Sequence, residues 1–278
     1  MTRVLLHILF CSAVLSLHAQ TDTVSQSRSP LGFLPSVTIY SGKASLFAAD
    51  NLGNVYVLTP AGLLVKYNDK GDSLNVFNDV RRHGAVYAID VTNPMKVLLY
   101  YKDFSTIVML DRYLNRINTI DLRKTGIFQA KAVGLSYDNN IWIFDEQSAK
   151  LKKIDENGRV LMETADLRQV LEVMPSPVKL TDRDGFVYMY DATNGLYVFD
   201  YYGTLKGAIA LTGISDWQVT GKTIAGRRGH EWVQYTPGTL ELREAPLPEA
   251  VQQAEKIYIT QRGIYVLNAT GIELYPVY

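Results

Sequence analysis

Four aspartates, Asp50, Asp90, Asp138 and Asp184, recur near points where a β-type run gives way to a turn. Carboxylates converging on one point could hold calcium, a hard cation that takes oxygen ligands. Three of the four stand in "DNLGN", "DNN" and "DRDG". In such sequences Asp and Asn side chains hydrogen-bond their own backbone, so turn formation is the simpler expectation. A second set is more regular. Asp79–Arg81, Asp121–Arg123 and Asp166–Arg168 each close a β-type run as Asp-x-Arg, with Arg82 and Lys124 beside them. Guanidinium groups gathered on one surface offer directed hydrogen bonds to an anionic partner. Each Asp–Arg pair could equally pin its own turn.

Other chemistry is sparse. His83 and His230 are the only histidines beyond the N-terminal segment, and both read as loop residues. No G-x-S-x-G elbow, P-loop or G-x-G-x-x-G turn before a helix occurs. Cys11 is the only cysteine, and it falls inside "MTRVLLHILFCSAVLSLHA". That stretch has Arg3, an apolar run from Val4 to Leu17 and Ala19 at its end, the layout of a secretory signal peptide spanning 1–19. Phe10 precedes Cys11, where a lipid-anchor signal needs a small residue. The mature chain would then hold no disulfide and no thiolate. Residues 20–35 read as a polar leader, and no second apolar stretch is long enough for a membrane helix.

Of 28 Lys and Arg, one is Arg3, and they face 28 Asp and Glu. Net charge near zero gives no overall basis for nucleic-acid binding. At 47% hydrophobic residues, the chain can bury a large core.

The elements that must position these residues repeat. "NVYVLT", "KVLLYY", "NIWIFD", "FVYMYD", "HEWVQY" and "GIYVLN" align on Tyr56, Leu98, Trp142, Tyr188, Trp232 and Tyr265, with gaps of 42, 44, 46, 44 and 33. A second series, "LLVKYN", "TIVMLD", "KLKKID", "GLYVFD", "TLELRE" and "GIELYP", has gaps of 43, 44, 45, 44 and 32. Further strand-like runs flank each pair, and "PAG", "DENG" and "ATNG" supply turns. A four-stranded unit of about 44 residues is a propeller period. The sixth unit lacks its outer strand, and "SVTIYSG" (36–42) is available to supply it by pairing with "GIELYP". In the fifth unit the outer strand is expected from "REAPLPEAVQQ", whose Pro246 and Pro248 remove ladder donors.

With "DNNIWIFDEQSAKLKKIDENGRV" (Asp138–Val160) as its most typical stretch, residues 36–278 resemble a six-bladed β-propeller of the NHL-like, secreted bacterial type. The resemblance implies an all-β fold whose last blade is closed by an N-terminal strand. It spans enzymes and scaffolds, so it does not select a function.

Propeller geometry sorts side chains onto faces. With strands a to d running from channel to rim, the b–c turns and d–a connections share one face, here called the top. The three Asp-x-Arg sequences and His83 belong there, with Lys43, Lys131, Lys179 and Lys256 near the starts of inner strands. His230 is expected at an a–b turn on the bottom, and the bottom is expected to be acidic. "QVLEVMPSP" (169–177), with Leu171, Val173 and Met174, and "TGIFQ" (125–129), with Ile127 and Phe128, add apolar groups to top loops. The expected function is a non-catalytic interaction module of the cell envelope or periplasm, without cofactor or metal. It docks a protein or anionic partner through Arg81, Arg82, Arg123, Lys124, Phe128, Lys131, Arg168, Met174 and Lys179. The alternatives are a hydrolase or lactonase with carboxylates at the channel mouth, or a glycan-binding module. Against the last, Tyr56, Trp142, Tyr188 and Trp232 follow a core-facing pattern.

Overall fold

The computed structural model describes residues 36–276; the signal-peptide and leader readings lie outside them. Six four-stranded antiparallel sheets follow one another along the chain. They form the six-bladed propeller. Blade one begins at Leu46–Ala49 and blade two at Ala88–Asn93. Blades three to six begin at Ala130–Leu135, Lys179–Arg183, Ser215–Thr220 and Lys256–Thr260.

The ring closes as the sequence requires. Val37–Ser41 pairs antiparallel with Gly271–Pro276, placing Val37 opposite Leu274 and Tyr40 opposite Ile272. Gly271 has φ +155°, and a Cβ there would collide with the Tyr40 carbonyl oxygen, so the closing sheet needs glycine at this position. This pairing removes two open edges that would otherwise invite association.

Alternation along each strand sends its two sets of side chains into the seams with the neighbouring blades. Each hydrophobic cluster therefore lies between two blades rather than within one. The seam of blades two and three buries thirteen apolar side chains, among them Tyr100, Ile107, Ile141 and Ile154. The seam of blades five and six buries five: Leu247, Val251, Ile257, Ile264 and Val266.

Blade five departs from the expected register. Its second strand is Thr223–Arg228, so "HEWVQY" forms the third (Glu231–Thr236) and "ELREAP" the fourth (Glu241–Pro246). Two-residue hairpins cause the shift. Gly221 and Gly229 take positive φ at the first central position of "TGKT" and "RGHE", the arrangement of tight primed turns. The unit is compressed, and "TIAGRR" shows too few apolar residues to stand out as a strand. Pro246 ends the outer strand at the rim, and the next residues form a short helix, Glu249–Gln252. Trp232 consequently lies on a third strand, half-buried against the small blade-five/six cluster. Tyr56, Trp142 and Tyr188 are buried as expected.

Candidate functional site

The top face is built from the connections between blades. After blade one, Val80–His83 forms a single helical turn. Leu122–Thr125 and Leu167–Gln169 form 3₁₀ turns after blades two and three. Leu122 and Leu167 anchor those turns by inserting into the seams. Asp121 and Asp166 cap them, accepting hydrogen bonds from Arg123 N (3.1 Å) and Arg168 N (2.9 Å).

The Asp-x-Arg sets thus serve their own turns first. Arg168 donates from Nε and Nη2 to Asp166 at 2.8 and 2.7 Å, and these bonds hold the Asp166 carboxyl below its ordinary value. Arg123 Nε lies 3.5 Å from Asp121, and its Nη2 donates to the Phe104 carbonyl at 2.9 Å. Asp79 behaves differently. Its carboxylate receives Arg116 Nη2 at 2.5 Å, with His83 Nε2 at 3.5 Å and Arg82 Nε at 3.8 Å, and leaves Arg81 aside. Lys131 pairs with Glu146 at 3.2 Å. Arg81 and Lys124 are exposed with no partner among the described residues.

Two of the expected contact residues lie elsewhere. Met174 is half-buried, folded back on the cluster that holds Trp142 and Leu167, so its thioether packs the seam between blades three and four. Lys179 is half-buried and lines the channel rather than the outer top surface. Ile127 is also buried, whereas its neighbour Phe128 is 56% exposed. His230 occupies the b–c turn of blade five and therefore shares the top face with His83, three blades away along the ring. The bottom is not simply acidic. Asp155 faces Arg159, Asp200 faces Lys206 and Asp69 pairs with Arg262 across a blade boundary.

On the top, exposed apolar side chains gather on one side, while the bottom turns of the same blades expose Leu52, Met95, Tyr113, Tyr137 and Tyr202. Tyr87, Phe104, Phe128, Val170, Val173 and Val178 are all exposed on connections of blades one to four. Lys102 Nζ sits 4.6 Å from the centre of the Tyr87 ring. Among the described residues, no large apolar side chain is exposed on the top connections between blades four and five, five and six, or six and one. Tyr87, Phe104 and Val178 carried no repeat signal of their own, and only their exposure in the folded ring marks them.

Inside the ring, the six inner strands enclose a channel. Its upper half is a cavity of about 290 Å³. At roughly 30 Å³ per water molecule, that is room for a small organic molecule. Lys179, Lys256, Asp90, Asp216 and Tyr258 contribute to its wall. Burial lowers Lys179 to about 8, assisted by the nearby Lys256 charge, and burial also lowers Lys256. Burial and the Asp90 charge raise Tyr258 to about 12. The lower half contains Asp50, Asp182 and Asp184.

Three of the four recurrent aspartates are occupied by backbone and neighbouring side chains, while Asp184 takes a left-handed turn conformation with φ +52°. Asp50 accepts from Leu52 N, Asn54 N and the Tyr56 hydroxyl. Asp90 accepts from Thr92 N and, across the blade boundary, from Leu135 N. Asp138 accepts from Asn140 N and pairs with Lys153. Among the described residues, no group of three or more His, Cys, Asp or Glu is arranged to hold a metal ion. Among the described residues, Asp182 joins three side-chain hydrogen-bond donors, a role that its place in the DRDG turn does not announce. It accepts from Ser136 Oγ, Trp142 Nε1 and the Tyr201 hydroxyl at 2.8 to 2.9 Å, tying blade three to blade four. Beside it, Lys153 Nζ lies 5.1 to 5.9 Å from the rings of Trp142, Tyr137 and Tyr201.

No family model and no curated protein matches this sequence. Solved structures do. A streptogramin B lyase superposes with a TM-score of 0.56 at 15% identity, covering 85% of this chain and 80% of that one. Virginiamycin B lyase from Staphylococcus aureus gives 0.57 at 14% identity, covering 85% and 81%. The Pan2 WD40 domain of Neurospora crassa also gives 0.57, at 15% identity over 83% and 81%. At such identities the likeness concerns the propeller fold alone, and the neighbours differ in role.

Proposed function

We propose that this chain is a non-catalytic docking propeller of the cell envelope whose top face, over blades one to four, binds a protein. The observation that carries this reading is the one-sided placement of Tyr87, Phe104, Phe128, Val170, Val173 and Val178 among Arg81, Arg123, Lys124 and Arg168. A mixed apolar and arginine surface is the usual composition of interface centres. Most cations there already have a carboxylate partner, so apolar contact supplies the affinity. The fixed guanidinium of Arg123 and the free Arg81 and Lys124 favour a partner with acidic groups beside its own apolar residues. The envelope assignment rests on the N-terminal sequence pattern.

The test is capture of envelope proteins on the full-length chain and on matched variants. Phe128→Glu and Arg123→Glu are each expected to lose a defined partner by at least tenfold. Leu240→Glu, on the bottom of blade five, is expected to retain it. All three positions are exposed, so the melting temperature should hold within a few degrees. A partner lost only with Leu240→Glu would move the interface to the other face.

A further inference from the structure

We propose that the upper channel cavity is a binding site for a small organic monocarboxylate, whose charged group is received between Lys179 and Lys256. This inference concerns the channel interior and shares only Tyr87 and Val178, at the cavity rim, with the docking reading. Both lysines line the cavity. Lys179 Nζ donates to the Trp217 carbonyl at 3.2 Å and Lys256 Nζ to the Phe47 carbonyl at 3.3 Å. An ammonium has three donors, so each keeps directions open. No carboxylate among the described residues comes within 4.0 Å of either nitrogen.

The local carboxylates are committed elsewhere. Asp216 lies 2.9 Å from Arg227 Nη2, and that guanidinium is held in turn by the Ala254 and Glu255 carbonyls. Asp90 receives Thr92 N, Thr92 Oγ1 and Leu135 N. Further down the channel stand Asp50, Asp182 and Asp184, so carboxylates act on both lysines at a distance while none touches either ammonium. Cations held away from bulk water without a counterion in contact are costly, and a bound monoanion would remove that cost.

The strands lining this cavity are also irregular. The inner strand of blade five carries a bulge between Ser215 and Gln218, and Asp216 within it has φ +54°. The inner strand of blade two is bulged between Asp90 and Asn93. Bulges re-aim side chains, and a left-handed aspartate is a strained conformation of the kind that clusters at functional sites. Leu46, Ala88, Val178, Ile214 and Trp217 give the cavity an apolar wall, which selects a carboxylate with a compact apolar body. Tyr87 and Val178, both exposed, stand at its mouth.

Calorimetric titration of the full chain near neutral pH tests the assignment, with hexanoate, phenylacetate, the neutral phenylacetamide and inorganic phosphate as probes. Phenylacetate or hexanoate is expected to bind at one site, and phenylacetamide at least tenfold more weakly than phenylacetate. Lys179→Met and Lys256→Met should each weaken carboxylate binding at least tenfold, whereas Lys256→Arg should retain most of it. Arg123→Glu, a top-face change, should leave it unaltered, so loss of docking and loss of carboxylate binding are separable. The proposal is overturned if neither carboxylate binds the wild-type chain, if the amide binds as tightly as the acid, or if phosphate binds more tightly than both acids. Unchanged affinity in a folded Lys256→Met variant would also overturn it. Should both methionine variants fail to fold, the acid–amide comparison on the wild-type chain decides alone.

Discussion

Blades three and five share a topology and differ in how deeply their central strands are buried. In blade three, Ile141–Asp145 is buried along its whole length and Lys150–Ile154 nearly so. In blade five, Glu231–Thr236 is buried only at Val233 and Tyr235, while the outer strands of both blades are largely exposed. The seam of blades two and three buries eight more apolar side chains than that of blades five and six. At about 1.5 kcal/mol each, the difference in transfer free energy is on the order of 10 kcal/mol before entropy is counted. A closed ring tolerates this inequality because a weak blade is clamped on both sides. The strong blades are also the ones that carry exposed apolar groups on the top. The proposed docking surface lies on these well-packed blades.

Several substitutions sharpen or break this contrast. The largest effect is expected from Trp142→Ala, which empties a fully buried site in blade three and should cost about 3–5 kcal/mol in denaturant unfolding. Asp182→Ala removes the acceptor shared by Trp142, Ser136 and Tyr201, and should cost about 2 kcal/mol. A pH-dependent effect comes next. Lys179 is lowered to about 8 from 10.5, chiefly by burial, with Lys256 adding to the shift and Asp90 and Asp216 opposing it. Between those values the unfolded chain binds a proton that the folded site releases, so stability should rise with pH across that window. Lys179→Met should remove that rise and gain most below pH 8, as read from melting curves at several pH values. Trp232→Ala in blade five, at a half-buried site, should cost about 1 kcal/mol. Smallest of all, Glu244→Gln breaks the exposed pair with Arg228 (2.7 Å) and should shift stability by less than about 0.5 kcal/mol. If Trp232→Ala proved as costly as Trp142→Ala, the contrast between the blades would fail.

The same contrast explains what could be read from the sequence. Blade three is legible because strands buried on both faces leave continuous apolar runs such as "NIWIFD", and its turns carry Asp, Asn and Gly. Blade five hides its second strand, since "TIAGRR" offers only two apolar residues before its arginines, and its two-residue turns shorten the spacing. The six-blade count survived because the period and the complementary ends constrain it independently of that register. The site was less legible. Asp121 and Asp166 were recognisable as turn residues by their spacing to Arg123 and Arg168. Lys179 was misplaced onto the surface because position within a strand fixes height along the channel and leaves depth undetermined. Met174 looked exposed because its loop is a long connection on the top face, yet a flexible thioether fills a seam when the loop folds back. The Asp182 hub and the Lys179–Lys256 pair join residues 19 to 77 positions apart, so no local pattern announces them.

The most direct test of the docking account is site-specific photo-crosslinking in the cell of origin, with the photoreactive residue at Phe128 in one variant and at Leu240 in another. Both positions are exposed, one above the strong blades and one beneath the weak one. The account predicts a single adduct of defined mass at position 128 and none at 240. Adducts of equal yield at both positions, or at 240 alone, would contradict it.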